Sequence, residues 1–337
     1  MASGGKILVY AEVDDGSSLQ QVVDYALDSG STITVCEVVP APPRNSDSQG
    51  VIDRVYECRW ALAFQRLRQI CDRFSEHMEI DYGVFSGEPF IAIAEQVQEQ
   101  GFDLVAHISS FSAEDAPFAT LNATGMHLMR KCPCAVWAIR AGTNSTNSDI
   151  VVALDRDRGP QADRAELFGQ RIISTALEHA RARGGSLHIV HAWEPFGLEL
   201  LDHPSLALSA EEREFYCSQQ RVETESWFYE LLSQFASEAP PQTEGAEQTS
   251  ATRQWLGENK VEITSSLLFA KPLAAIKSVL FETQAGLLVL GNVGSSSHPG
   301  VLIGPTTESL LAQCAVPTLA LKPADYVSPL SRPPINS

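Results

Sequence analysis

The sequence predicts an α/β fold of two tandem open, mostly parallel five-stranded sheets with helices on both faces. Three observations predict it. Short, β-rich apolar runs alternate with longer stretches of helical apolar spacing. The order of these elements occurs twice along the chain, copy matching copy. In each half the third strand is followed by a small residue, one spacer and a proline that opens a helix: Gly87-Glu88-Pro89 and Ala270-Lys271-Pro272. Proline suits a first helical turn, where its missing N–H would have no partner. Strands and helices in this alternation imply right-handed crossovers between parallel neighbours.

The first strands are Ile7 to Ala11 and Ile150 to Leu154, each closed by acidic and turn-forming residues. Helical stretches follow over 17–28 and 162–183, then second strands at Thr32 to Cys36 and Ser186 to Val190. Long amphipathic segments cover 51–78 and 209–236, with Phe64, Leu67 and Ile70 at helical intervals in the first. Third strands run from Glu79 to Phe85 and from Val261 to Phe269, fourth strands from Asp103 to Ala106 and from Gly286 to Val289. A last helix ends at Lys131-Cys132 or Gln313-Cys314, before final strands at Ala135 to Ile139 and Pro317 to Leu321. The expected domains are therefore 1–141 and 149–323. A polar linker spans 142–148, and a flexible tail covers 324–337. A stretch rich in Glu, Pro, Gln, Thr and Ser at 238–252 reads as a mobile surface insertion.

Composition sets outer limits. The 337 residues include 24 Lys and Arg against 42 Asp and Glu, a net charge of −18 shared equally by the two halves. Nucleic acid and anionic membrane meet net repulsion from such a chain. No apolar run approaches the roughly 20 residues that span a bilayer, and the first residues do not read as a signal peptide. Seven cysteines form no regular framework. Reduced thiols in the cytoplasm are the expectation.

The second half concentrates glycine where open α/β sheets bind ligands, beyond the carboxyl end of a strand. Gly291-Asn292-Val293-Gly294 leaves the fourth strand, nine residues follow, and Gly304-Pro305-Thr306-Thr307-Glu308 opens the last helix. Glycine lets backbone approach phosphate, and a helix start offers unpaired N–H groups. The residues alone are equally compatible with ordinary turn and cap glycines.

The G-x2-G-x9-G spacing after a strand and before a helix resembles the nucleotide loop of the universal stress protein family, a fold related to doubly wound nucleotide-binding domains. Asp155 at the end of its strand and His191-Ala192-Trp193-Glu194-Pro195 are similar to the same family's motifs. The two copies, with Arg130-Lys131-Cys132-Pro133-Cys134 in the first, are most similar to its tandem E branch. The resemblance implies Asp155 and the Ala192 backbone near an adenine, Leu290 and Gly291 near a ribose, and Gly294, Gly304 and Thr306 facing phosphates of ATP with Mg²⁺. It departs at Pro305, where ATP-binding members carry Ser or Thr. The first copy departs further, since Ile108 replaces the first loop glycine and 111–118 contains none. The resemblance also implies antiparallel pairing of the last strands, here Val136 to Ile139 with Thr318 to Leu321, as an intrachain pseudo-dimer. Whole chains could dimerise as well.

Other constellations carry less. Cys132-Pro133-Cys134 lacks the second ligand pair of a zinc site, and reads as structural cysteines before a metal or redox pair. His188 and His191 are an odd number apart on one strand and face opposite ways. His191 reads as a packed histidine before a catalytic one. No P-loop and no Gly-x-Ser-x-Gly elbow occurs. The resulting expectation is a non-catalytic cytoplasmic stress-response protein that binds a ligand or a protein partner. The rivals are an ATP-dependent switch or weak ATPase using the second glycine loop, and a carrier of a small apolar ligand.

Overall fold

The computed structural model of the chain describes residues 4–12, 16–43, 48–109, 121–142, 147–157, 159, 161–238, 251–257, 261–292 and 303–330. In chain order its elements are β1 (Lys6–Ala11), α1 (Gly16–Ser29), β2 (Thr32–Val39), α2 (Gln49–Asp72), β3 (Ile80–Ser86), α3 (Pro89–Gln100), β4 (Leu104–Ser109), α4 (Ala123–Lys131) and β5 (Ala135–Arg140). There follow β6 (Ile150–Leu154), α5 (Ala162–Arg183), β7 (Leu187–Trp193), α6 (Ala210–Ser233), β8 (Ala236–Glu238), β9 (Ala251–Gly257), β10 (Glu262–Phe269), α7 (Pro272–Thr283), β11 (Leu287–Gly291), α8 (Pro305–Gln313) and β12 (Thr318–Leu321). Two compact units emerge. One joins Met1–Thr146 to Leu290–Ser337, and the other is Asn147–Val289.

In the first unit the strands lie in the order β3-β2-β1-β4-β5-β12. The first five are parallel, and β12 runs antiparallel to β5 with Thr318 opposite Ala138, Leu319 opposite Trp137 and Ala320 opposite Val136. This is the pairing expected of the last strands. Ile7, Leu8 and Val9 are all buried, as consecutive residues are in a parallel strand covered on both faces. Leu19, Val22, Val23 and Ala26 form the buried stripe of α1 at helical spacing. Trp137 is fully buried on β5 and meets Tyr25 edge-on at 6.0 Å.

In the second unit β6, β7 and β10 are parallel, β11 lies beside β6, and β9 and β8 continue antiparallel from β10. The α5 helix buries Ile172, Ile173, Ala176 and Ala180 and ends at Gly184 in the left-handed region, φ 63°. A Cβ on Gly185 would lie 2.0 Å from the carbonyl oxygen of Ser148, so only glycine fits this crossing before β7. Ser209 and Glu212 form a reciprocal capping box at the start of α6.

Some boundaries differ from the sequence reading. The compact units and the sequence copies 1–141 and 149–323 divide the chain differently: β12, the last strand of the second copy, belongs to the first unit through its ladder on β5. The long helices stop at Asp72 and Ser233, short of 78 and 236. The 238–252 stretch is bounded by two strands, β8 and β9, that have no counterpart between α2 and β3 of the first copy. Glu238 closes β8, and Ala251 and Thr252 open β9, whose backbone pairs with β10. Ladder hydrogen bonds are made by main chain, so polar side chains did not betray this edge; residues 239–250 lie outside those described. In the expected linker, Asn147 donates to the carbonyls of Thr283 and Gln284, while 143–146 are outside the described residues. The tail is anchored as far as Leu330, whose carbonyl accepts from Nε2 of Gln98 on α3 at 3.3 Å.

Candidate functional site

The glycine loop follows β11, whose last two residues, Leu290 and Gly291, belong to the first unit. Leu290 is buried, Gly291 half-buried, and Asn292 fully buried with its N–H donating to Leu321 at 2.8 Å. The loop's return is tied to its exit: the Gly304 N–H donates to the Asn292 carbonyl at 2.9 Å, and Thr307 Oγ1 donates to the Gly291 carbonyl at 3.1 Å. Gly291 and Gly304 are thereby brought together at the mouth of α8. Gly304 is its N-cap in extended conformation and Pro305 its first residue. Pro305 supplies no N–H, and the Glu308 N–H already reaches the Gly304 carbonyl. The N–H groups of Thr306 and Thr307 are left without an intrahelical acceptor. The Thr307 hydroxyl is committed to Gly291, while half-buried Thr306 has no such role. Arg130, in the last turn of α4, pairs with Glu308 in the first turn of α8. Gly294 lies outside the described residues.

Asp155 and Ala192 belong to the second unit. Leu154 and His191 are register partners on β6 and β7, so Asp155 and Ala192 are neighbours at the strand ends. Asp155 is exposed and accepts the Arg156 N–H at 2.9 Å. His191 sits 5% exposed, its Nδ1 3.0 Å from the Leu154 carbonyl and its ring edge-on to Trp227 at 4.9 Å. The Arg156 guanidinium lies over the same Trp227. His191 is thus a packed, hydrogen-bonded histidine. His188 lies elsewhere, its Nε2 3.9 Å from Asp149.

The first copy holds a cluster that sequence reasoning did not assemble. Glu12 follows β1 as Asp155 follows β6, and its Oε1 is 3.2 Å from Nε2 of His107 on the neighbouring strand β4. Its Oε2 accepts a hydrogen bond of 2.6 Å from Nδ2 of Asn122, the N-cap of α4, whose Oδ1 accepts the Gly125 N–H at 2.8 Å. Tyr10 stacks on the His107 ring at 5.5 Å. A Cβ on Gly125 would lie 3.0 Å from His107 Nδ1, so this glycine lets the helix close over the ring. A carboxylate therefore spans from the end of β1 to the start of α4, tied down at both oxygens. The available sequence signal was a carboxylate at a strand end and a histidine on the adjacent fully buried strand. Residues 110–120 lie outside those described.

The family model described as "Universal stress protein family" matches residues 147–322. The chain belongs to the universal stress protein family. This universal stress protein is similar to Universal stress protein E of Escherichia coli strain K12, 23% identical over 250 residues that cover 73% of this chain and 69% of that one. It is also similar to a Universal stress protein E homolog of Haemophilus influenzae, 24% identical with 69% and 66% covered. Among solved structures, a functionally unknown protein from Pseudomonas aeruginosa PAO1 aligns with TM-score 0.59 and 20% identity, covering 96% of this chain and 94% of that one. A universal stress protein from Archaeoglobus fulgidus DSM 4304 aligns at 0.56 and 18%, covering 94% and 98%. These likenesses show the α/β fold with its mostly parallel sheet. Among the described residues no helix is long and apolar enough to cross a membrane, and no cluster of three or more His, Cys, Asp or Glu is poised around a metal.

Proposed function

We propose that this universal stress protein is a cytoplasmic stress-response protein that works by binding and not by catalysis. Its second-copy glycine loop takes the phosphates of an adenine nucleotide with Mg²⁺. The observation that carries the reading is the closed mouth of α8. Gly304 is held on Asn292 and Thr307 on Gly291, so the N–H groups of Thr306 and Thr307 are preorganised at a helix start. Asp155 and Ala192 enter the reading on the adenine side through the family resemblance, as does Gly294 on the phosphate side. The first copy has no corresponding role. Its sequence carries Ile108 in place of the first loop glycine and, over 111–118, no glycine and the carboxylates of Glu114 and Asp115, which oppose a phosphate.

Pro305 weakens the cradle by one N–H and one hydroxyl. A hydrogen bond to a charged group is worth about 1.5–3 kcal/mol, so Pro305→Ser should tighten binding by roughly 10- to 150-fold. The test is calorimetric titration of Mg-ATP into the full chain and into Pro305→Ser. Binding at one site per chain, tighter in Pro305→Ser and lost in Gly294→Val, is the expected result. Silence from both proteins overturns the nucleotide reading. Steady ATP turnover abolished by Gly294→Val would instead favour the switch.

A further inference from the structure

Cys132 caps the end of α4 in extended conformation, φ −60° and ψ 135°, and Cys134 follows two residues later. Pro133 and Cys134 bend the chain before β5. The two sulfurs are 3.6 Å apart, with Cys132 fully buried and Cys134 half-buried. The Lys322 ammonium is buried against α4, one turn before Cys132. It is 3% exposed and donates to the Met129 carbonyl at 2.6 Å. A cation close to a thiol favours its thiolate form.

We propose that Cys132-Pro133-Cys134 is a peroxide-oxidisable dithiol, with Lys322 as the positioning residue that holds one of its sulfurs as thiolate. Burial raises the Cys132 thiol, but hydrogen bonds from Cys134 and the Lys322 charge outweigh it and bring it below its ordinary value. Burial and donation to Cys132 raise Cys134. Lys322, pushed down by burial to about 8, keeps most of its charge at neutrality. The other ionisable groups that act on the pair are Tyr326 and Asp103.

The chemistry balances with hydrogen peroxide as oxidant. The proton shared across the S···S contact moves to Cys132, leaving the accessible Cys134 as thiolate. Its sulfur attacks one peroxide oxygen, the O–O bond breaks, and the departing hydroxide takes a proton from solvent. Cys134 is now a sulfenic acid and one water has formed. The Cys132 sulfur gives up its proton, attacks the Cys134 sulfur and displaces the sulfenic oxygen as a second water. Two thiols and one hydrogen peroxide yield one disulfide and two waters. Closing the bond brings the sulfurs from 3.6 Å to about 2.05 Å.

The test uses the full chain. Trypsin cuts after Lys131 and Arg140, which isolates both cysteines in one peptide, 132–140, with no other cysteine. After hydrogen peroxide and alkylation, this peptide should appear about 2 Da lighter than its reduced, unalkylated form and resist alkylation. Lys322→Met should slow the reaction about tenfold at pH 7, the equivalent of one pKa unit of lost thiolate, and Lys322→Arg should restore it. In denaturant, wild type and Lys322→Met should react alike. Cys132→Ser should trap Cys134 as a sulfenic acid that a dimedone probe labels, which does not depend on the lysine variants folding. A 132–140 peptide alkylated at both cysteines after oxidation, equal rates in folded wild type and Lys322→Met, or no dimedone label in Cys132→Ser would each overturn the proposal.

Discussion

The ammonium of Lys322 donates to the carbonyl of Met129 at 2.6 Å, and it is the first of three donors in sequence. Tyr326 Oη donates to Arg130 and Ser328 Oγ to Lys131, each at 2.5 Å. The last carbonyls of an α-helix have no intrahelical partner. Here the segment after β12 satisfies three successive carbonyls at the end of α4, one side chain for each.

That arrangement predicts a cost for a residue that composition would assign to a frayed tail. Ser328→Ala leaves the Lys131 carbonyl without its donor in a largely buried place. The expected loss is about 1–2 kcal/mol, read as a lower urea midpoint at unchanged slope. Tyr326→Phe should behave similarly, and a distant surface substitution should not.

Trp137 fills the centre of the β5 and β12 pairing, opposite Leu319 and edge-on to Tyr25. Trp137→Ala should destabilise the chain by about 3–5 kcal/mol, the range for large aromatic side chains removed from a core. Near-ultraviolet circular dichroism should lose the contribution of Trp137, one of five tryptophans, and thermal unfolding should begin earlier. A cost below 1 kcal/mol would mean that the two strands do not pack as described.

Glu12→Ala should weaken the first unit by about 1–2 kcal/mol. It removes a carboxylate from the side chains of His107 and Asn122, and its partial exposure lowers the figure. Denaturant unfolding at pH 7 measures this. The larger effect should fall on α4, whose N-cap Asn122 loses the group that orients its amide. Hydrogen exchange at the first turn of α4 should rise while that of α1 stays constant.

His179 is fully buried on α5. Burial, then the Arg183 charge, pushes its pKa from 6.5 down to about 3. The folded state therefore holds the neutral imidazole, and the unfolded chain binds the proton first as pH falls. The contribution is fully present above about pH 6.5 and is lost progressively as pH drops toward 3, with a slope of at most about 1.4 kcal/mol per pH unit. His179→Leu should flatten the stability profile between pH 6 and pH 4 relative to wild type. Parallel profiles would show that His179 does not titrate differently in the two states.

The alternation of strands and helices could be read from the chain because its causes are local. The β6 bounds of Ile150 and Leu154 and the α5 bounds of 162 and 183 agree with the sequence reading, since apolar period, Asp163 in the first turn and Gly184 at the end all lie within the segment itself. Pro89 and Pro272 open helices for the same kind of reason: a fixed φ and a missing N–H act on their own turn. The pairing of β5 with β12 was reachable through the family resemblance.

Relations between distant residues followed a different rule. Glu12, His107 and Asn122 are 95 and 110 positions apart from end to end of their contacts, and nothing in their spacing announces one hydrogen-bonded cluster. The same holds for Lys322, Tyr326 and Ser328 on α4, nearly 200 positions away, and for the β9 edge, made by main-chain donors that every sequence possesses. Local steric and periodic preferences are written into each segment and set the two α/β copies. The partner of a buried carboxylate, ammonium or helix-end carbonyl is chosen only when packing excludes water and leaves one group within hydrogen-bonding reach.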